Sequence, residues 1–375
     1  MMIMALDHVR DYFHYPAWTD SPTNLLTTTP ILFFTRWITH FCAPTFLLLS
    51  GISAYLMGQK KSKKELSLFL VKRGIWLVLV EVVLVSLAWT YDPLYHLLIL
   101  QVIWATGISM IILGILVWLP DYIVLVIGLL IICFHNMLDY AEADRKGHVG
   151  ILWDIIHHGN FTPITLGAHR IALIVYAFLP WAGIMLTGYG LGKIFTSRFP
   201  ARRRRIILYL TGSVFLLLFI VLRSINQYGD TSHWSHIRSQ IYTLLSFINV
   251  TKYPPSLDFI SLTIGSALIL LGLFDRISKN TFSFVRVFGR VPFFYYVIHI
   301  YLIHALTVIF FFAEGFRAQD IKPVHSPFLF RPDQFGYGLP IVYLIWIAVL
   351  MILYPICRKY DQYKSTHKKW WLSYL

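Results

Sequence analysis

Nine apolar stretches, most of them long enough to cross a bilayer as helices, follow one another along this chain, and that repetition leaves few folds open. A hydrocarbon layer about 30 Å thick takes about 20 helical residues to cross, each adding about 1.5 Å. The stretches run over residues 30–56, 69–90, 97–119, 122–134, 171–194, 206–222, 257–274, 291–312 and 339–357, the fourth being the shortest. Hydrophobic residues make up 57% of the 375 positions and charged ones 13%, against roughly 25% charged in soluble domains, so a water-facing surface cannot be assembled from this composition. The expected fold is all-α, a polytopic integral membrane bundle of nine full transmembrane helices preceded by a truncated first helix. Met1 to Leu6 is apolar but too short to span and runs straight into Asp7-His8-Val9-Arg10-Asp11. With no charged leader and no cleavage site, a removable signal peptide is a poor alternative.

The net charge of +14 would suit a nucleic-acid partner only if the basic residues formed a surface, and they lie between the apolar stretches instead. Residues 58–73, 195–205, 275–290 and 358–375 hold 6, 5, 4 and 5 Lys and Arg, whereas residues 7–29 hold one and 91–96 none. Cytoplasmic loops carry such an excess. Both termini are therefore expected on the cytoplasmic side of the inner membrane, and no nucleic acid is expected as a partner. No linker or internal repeat interrupts residues 1–375, which read as a single multi-pass domain. Cys42, Cys133 and Cys357 have no CxxC or other metal-ligand spacing, and no metal is expected.

Chemistry is expected on the extracytoplasmic side. Of fifteen histidines, eleven fall in the outer regions: His8, His14, His96, His135, His148, His157, His158, His169, His233, His236 and His325. Acids gather there too, among them Asp7, Asp11, Asp20, Asp92, Asp139, Asp144, Asp154 and Asp230. An imidazole with a pKa of about 6.5 exchanges protons near neutrality, so a histidine beside a carboxylate is a candidate general base. Asp7 to Asp11 is the densest such cluster. On a continuing helix Asp7 faces Arg10, and His8 faces Asp11, at i to i+3 spacing. Arg36 and His40 share a face inside the second apolar stretch, where ionisable groups are costly and commonly face a cavity, partner or pathway. Glu81, His299 and His304 are the other titratable residues in apolar stretches, and Gln101 and Trp104 are candidates to line the same outer cavity. His135-Asn136, Arg223 and Lys252-Tyr253-Pro254-Pro255-Ser256 mark two further outer elements. Lys252 suits an anionic substrate, because basic residues are sparse there. GxxxxGK[ST], GxGxxG after a strand, HExxH and GxSxG are all missing from the sequence, which withholds support from ATP-driven transport and the common hydrolases.

With these residues in hand, the chain resembles the transmembrane acyltransferase family typified by heparan-alpha-glucosaminide N-acetyltransferase, particularly its bacterial branch. The resemblance rests on Leu6-Asp7-His8-Val9-Arg10-Asp11-Tyr12-Phe13, on Thr35-Arg36-Trp37-Ile38-Thr39-His40-Phe41-Cys42-Ala43-Pro44 with Gly51, and on Arg73-Gly74-Ile75-Trp76-Leu77 with Glu81. Later matches are His135-Asn136, Pro180-Trp181, Gly188-Tyr189-Gly190, Tyr228-Gly229-Asp230 and Lys252-Tyr253-Pro254-Pro255-Ser256. It implies a catalytic core over residues 1–225, with residues 226–375 adding further membrane helices. It also implies transfer of an acyl group, typically acetyl from acetyl-CoA, to a sugar or glycan amine or hydroxyl across the membrane. The family's catalytic histidine lies just beyond the first transmembrane helix. This chain offers His8, the favoured one, and His14, nearer Trp18. Family members carry an Arg- and Asp-containing start to the first helix that this sequence lacks.

The resulting expectation is a membrane acyltransferase using cytoplasmic acyl-CoA. His8 would be the base, with His14 the alternative, and Asp7 or Asp11 would orient it. Arg10 and Arg36 would hold substrate anions or the oxyanion, with His40, His135, Asn136, Arg223, Lys252 and Tyr253 as further substrate contacts. Membrane lipids would surround it, and an oligomer is compatible with this reading. The rival is a proton-coupled transporter or a lipid or glycan flippase working through His40, Glu81, His299 and His304.

Overall fold

The computed structural model describes residues 1–143, 150–159, 161–167, 169–277, 281–322 and 325–373. Asp144 and His148, two of the expected outer residues, lie outside the described residues. The chain is mostly helical. Its elements are, in order, α1 (Met2–Phe13), α2 (Pro30–Trp37), α3 (Cys42–Gly58), α4 (Lys63–Val80), α5 (Ser86–Thr90), β1 (Leu97–Leu100), α6 (Val102–Leu116), α7 (Asp121–Phe134), α8 (Met137–Ala143) and α9 (Ile151–Trp153). After these come β2 (Thr162–Gly167), β3 (Arg170–Ile174), α10 (Phe178–Leu191), α11 (Ala201–Ile225), α12 (Gln240–Ile248), α13 (Leu257–Phe274), α14 (Ser283–Arg290), α15 (Pro292–Ala313) and α16 (Leu339–Thr366).

Among the described residues, six helical runs are long and apolar enough to cross a membrane: Pro30–Gly58, Asp121–Tyr140, Ala201–Ile225, Leu257–Phe274, Pro292–Ala313 and Leu339–Thr366. They correspond to six of the nine apolar stretches, and the chain is a multi-pass membrane protein. α11 is apolar toward its surroundings: Leu210, Val214, Leu217 and Val221 form an exposed stripe, while Leu208, Gly212, Phe219 and Arg223 are buried. Water would oppose such a stripe, and lipid accepts it. Two expected spans are corrected. Residues 97–119 open with strand β1 before α6, and residues 171–194 open within β3, which pairs antiparallel with β2 from Thr162↔Ile174 to Gly167↔Arg170. The three strands form one sheet in the order β1-β3-β2.

The chain divides into two compact units. The first comprises Met1–Cys42, Val82–Leu98 and Ser278–Leu375. Here α1 packs on α15 and α16, and α15 packs on α5. Thr29 starts α2 by accepting a hydrogen bond from the Leu32 amide at 3.3 Å, and Pro30 loses nothing at a position with no helical partner for its nitrogen.

The second unit comprises Ala43–Glu81 and Ile99–Ile277. α4 pairs with α6, α10 with α6 and α7, and α11 with α13. Ser62 and Glu65 form a reciprocal capping box at the start of α4. Glu81 is fully buried, and its carboxylate accepts the amides of Gln101 at 2.8 Å and Trp104 at 3.2 Å, covering the N-terminus of α6. Small residues let these helices touch backbone to backbone: Gly74 meets Gly107, and Gly212 meets Gly265. The tightest approach is between α3 and α10, where a Cβ on Gly188 would lie 2.2 Å from the Leu48 carbonyl oxygen and one on Gly51 would lie 2.0 Å from that of Met185. Gly188→Val should therefore cost at least the about 1–3 kcal/mol typical of overpacking, read as a lower thermal midpoint in detergent. Gly289→Ala, which meets open space, should leave that midpoint unchanged.

Candidate active site

α1 carries the first group of site residues. Its sequence puts Asp7, Arg10 and Asp11 on neighbouring turns, and within the first unit Arg36 reaches the Asp7 carboxylate from α2. Arg10 Nη2 donates to Asp7 Oδ1 at 3.1 Å and also to Asp11, while Arg36 Nη1 donates to Asp7 Oδ2 at 2.5 Å and to Thr39 Oγ1 at 3.1 Å. The network balances two acids against two arginines. Asp7 and Arg10 are both buried, so neither could stay charged there without the other. His40 falls in a short 3-10 turn, Ile38–Phe41, that follows α2 and is buried there.

His8 was expected to face Asp11; its Nδ1 is hydrogen bonded to His299 Nε2 at 2.7 Å, and the two rings stack with centroids 4.9 Å apart. His299 Nδ1 in turn lies 3.0 Å from the Tyr295 carbonyl oxygen, and Trp89 packs edge-on to His8. His304 has both ring nitrogens on carbonyl oxygens, Ala88 at 3.0 Å and Leu329 at 2.9 Å, which makes it a strut between chain segments.

His14 follows the last turn of α1 and is buried. Its backbone is pinned on both sides. Its amide donates to the Arg10 carbonyl at 2.9 Å, and its own carbonyl accepts from Arg331 Nη2 at 2.7 Å. Arg331 also donates through Nε to the Tyr12 carbonyl at 3.0 Å, so this guanidinium satisfies the end of α1, where carbonyls lack helical partners and a cation is favoured. The His14 ring itself has no hydrogen-bond partner among the described residues. Burial first, then the positive charges of Arg10 and Arg331, lower its pKa from the usual 6.5 to about 4. At pH 7 the ring is neutral, with a nitrogen lone pair available. Sequence reasoning missed Arg331. Its one sequence signal is that it is a basic residue in a region where they are few; its partners lie more than 300 positions away.

The remaining expected residues lie in the second unit. Arg223 was expected to hold substrate, but its donors are spent on the carbonyls of Phe247 (2.8 Å), Ser232 (2.8 Å), Ser246 (3.1 Å) and Asn249 (2.9 Å). Asp230 and Asp258 stand 4.0 and 3.8 Å from its Nη1. It is the buried hub of the segment between α11 and α13. Asp230 binds Thr251 and Ser256, and Asn136 Oδ1 accepts the Leu257 amide at 2.7 Å, so Asn136 is brought to the start of α13. Lys252 is buried, with its Nζ 5.1 Å from the centre of the Tyr253 ring. Tyr253 packs edge-on to Phe161 and Tyr176 and precedes a cis proline. His135 is buried, and neither ring nitrogen has a hydrogen-bond partner among the described residues. Glu142 gathers Trp153 Nε1 (2.6 Å), His157 Nδ1 (2.7 Å) and His158 Nδ1 (2.9 Å). Burial works to raise its pKa, but these hydrogen bonds outweigh it and hold it at about 2.

A family model described as heparan-alpha-glucosaminide N-acetyltransferase, catalytic, matches residues 12–228, more than half of the chain. The chain belongs to this family. No curated protein and no solved structure matches it. Membership in the heparan-alpha-glucosaminide N-acetyltransferase family, together with the apolar helices, makes the chain a multi-pass membrane acyltransferase. The matched stretch includes His14, Arg36, His40, His135, Asn136 and Arg223, while Asp7, His8, Arg10, Asp11, Lys252 and Tyr253 fall outside it.

Replacing Arg223 with Met would leave two buried acids and four carbonyls without their cation. Loss of about 3–5 kcal/mol is expected, as when one partner of a buried ion pair is removed, measured by thermal unfolding in detergent. Arg223→Lys should not restore the midpoint, because one ammonium cannot reproduce the planar fork.

Proposed function

We infer that this protein transfers an acyl group, most simply acetyl, from cytoplasmic acyl-CoA to an amine or hydroxyl of a sugar or glycan on the extracytoplasmic side of the inner membrane. The observation that carries the assignment of the base is His14: a buried, neutral imidazole between two arginines, its ring uncommitted among the described residues, lying within the family match. In this reading His14 removes the proton of the acceptor as its nitrogen or oxygen attacks the thioester carbonyl. The tetrahedral intermediate then collapses with cleavage of the carbon–sulfur bond, and the His14 proton passes to the departing CoA sulfur. Arg10 would stabilise the developing oxyanion through its Nε–H, a buried donor with no partner among the described residues. His8, already held by His299, would take a supporting part, and Asp7, Asp11 and Arg36 would fix Arg10 in place. Basic residues of the inner loops would hold the CoA phosphates.

For topology, α1 and nine further helical stretches would cross the membrane with both termini cytoplasmic. The shorter helices α6 and α10 and the run from α4 to α5 would complete the six long ones. The alternation of basic loops supports this arrangement.

His14→Ala should lower acyl transfer from acetyl-CoA by about 100- to 10,000-fold, the usual worth of a positioned base, while His8→Ala should retain most turnover. The assay is CoA release by detergent-purified protein with a glucosamine-type acceptor. Full activity in a folded His14→Ala protein would overturn the assignment. A base with a depressed pKa stays deprotonated and competent until the pH falls to that value. The acid limb of kcat/KM should therefore sit near pH 4 instead of 6.5.

A further inference from the structure

Asp139, Glu142, His157 and His135 form a second cluster within the second unit, and the proposed acyl transfer makes no use of its arrangement. One ligand atom from each of Asp139, Glu142 and His157 lies within 4.8 Å of the others. Glu142 accepts the Nδ1–H of His157 at 2.7 Å, which fixes the tautomer and leaves Nε2 as a lone-pair donor. That Nε2 is buried, without a hydrogen-bond partner among the described residues, and lies 3.7 Å from Asp139 Oδ1. The separation is too long for a hydrogen bond. It is close to the roughly 3.3 Å between two ligand atoms on one tetrahedral ion with bonds of about 2.0–2.1 Å.

Two further observations favour an ion. Asn136 Nδ2 donates to Asp139 Oδ2 at 2.6 Å, which holds one carboxylate oxygen and leaves the other toward His157. The His135 ring, also buried with both nitrogens unpartnered among the described residues, has its centroid 5.7 Å from that of His157. Two imidazoles on a single tetrahedral ion place their centres roughly 5 Å apart. A histidine ligand whose other nitrogen is held by a carboxylate is the usual outer-shell arrangement around zinc, and Glu142–His157 has this form.

We propose that His157 Nε2, Asp139 Oδ1 and His135 bind one divalent transition-metal ion of the zinc class, with Glu142 and Asn136 as positioning residues. The ion would tie the end of α7 and the helix α8 to the Asp154–His158 turn. This proposal stands independently of the acyl-transfer reading.

The test uses full-length protein in detergent, stripped with chelator and titrated with Co²⁺ and then Zn²⁺. One Co²⁺ per chain with the visible absorption of a tetrahedral site is expected, and Zn²⁺ should displace it. Folded His157→Ala and Asp139→Asn proteins should bind at least about 100-fold more weakly, and Glu142→Gln about 10- to 100-fold more weakly. Circular dichroism establishes folding, and zinc-edge X-ray absorption of the wild-type protein reads the imidazole and oxygen ligands without any variant. No stoichiometric binding by the wild type, an absorption edge without histidine ligands, or unchanged affinity in folded His157→Ala would each overturn the proposal.

Discussion

Wherever a helix stops inside an apolar layer, its last peptide groups have no water to turn to, and each unsatisfied one costs several kcal/mol. Three buried ionisable side chains answer that need here. Glu81 takes the amides that open α6, Arg331 takes the carbonyls that close α1, and Arg223 takes four carbonyls of the segment between α11 and α13. An ionisable group is expensive to bury, but used this way it removes several peptide penalties at once.

The same constraint shapes the C-terminal end of α1. Arg331 closes the helix and, in doing so, brings a second positive charge to His14 beside Arg10. A neutral imidazole in that setting is a weaker base than free histidine, but it is available at every physiological pH and sits where developing negative charge is welcome. Asp7 and Asp11 keep Arg10 from being an unpaired buried cation, and Asp7 is shared with Arg36. Structure and chemistry therefore draw on one set of residues, and a substitution in the ion network is expected to touch both.

Much of this was legible along the chain. The apolar stretches identified a membrane protein because their length is set by bilayer thickness, and the Asp7 to Asp11 cluster stood out because so many charges rarely adjoin an apolar run. The errors have physical causes as well. A continuous apolar run does not distinguish a buried strand from a buried helix, so β1 and β3 were read as the starts of helices. Arg223 was read as a substrate contact and Glu81 as part of the rival pathway, and their carbonyl and amide partners could not be read from the sequence, because an ionisable residue carries no label for its partner. Helical spacing gave His8 only Asp11 as a neighbour and could not show His299, 291 positions away, which is hydrogen bonded to its Nδ1.

Hydropathy and the clustering of charges thus determined by themselves that the chain crosses a membrane and that α1 bears the densest titratable group, while resemblance to a known family placed it among transmembrane acyltransferases. The first two are local properties, carried by composition or spacing over a few turns. Only the tertiary structure decided that the His14 ring is left without a hydrogen-bond partner among the described residues, that Arg331 closes α1, and that Asp139, His135 and His157 come together under the hold of Glu142. Those contacts join residues from separate elements, and the energy that selects them, satisfaction of buried polar groups against one another, exists only once the chain has packed.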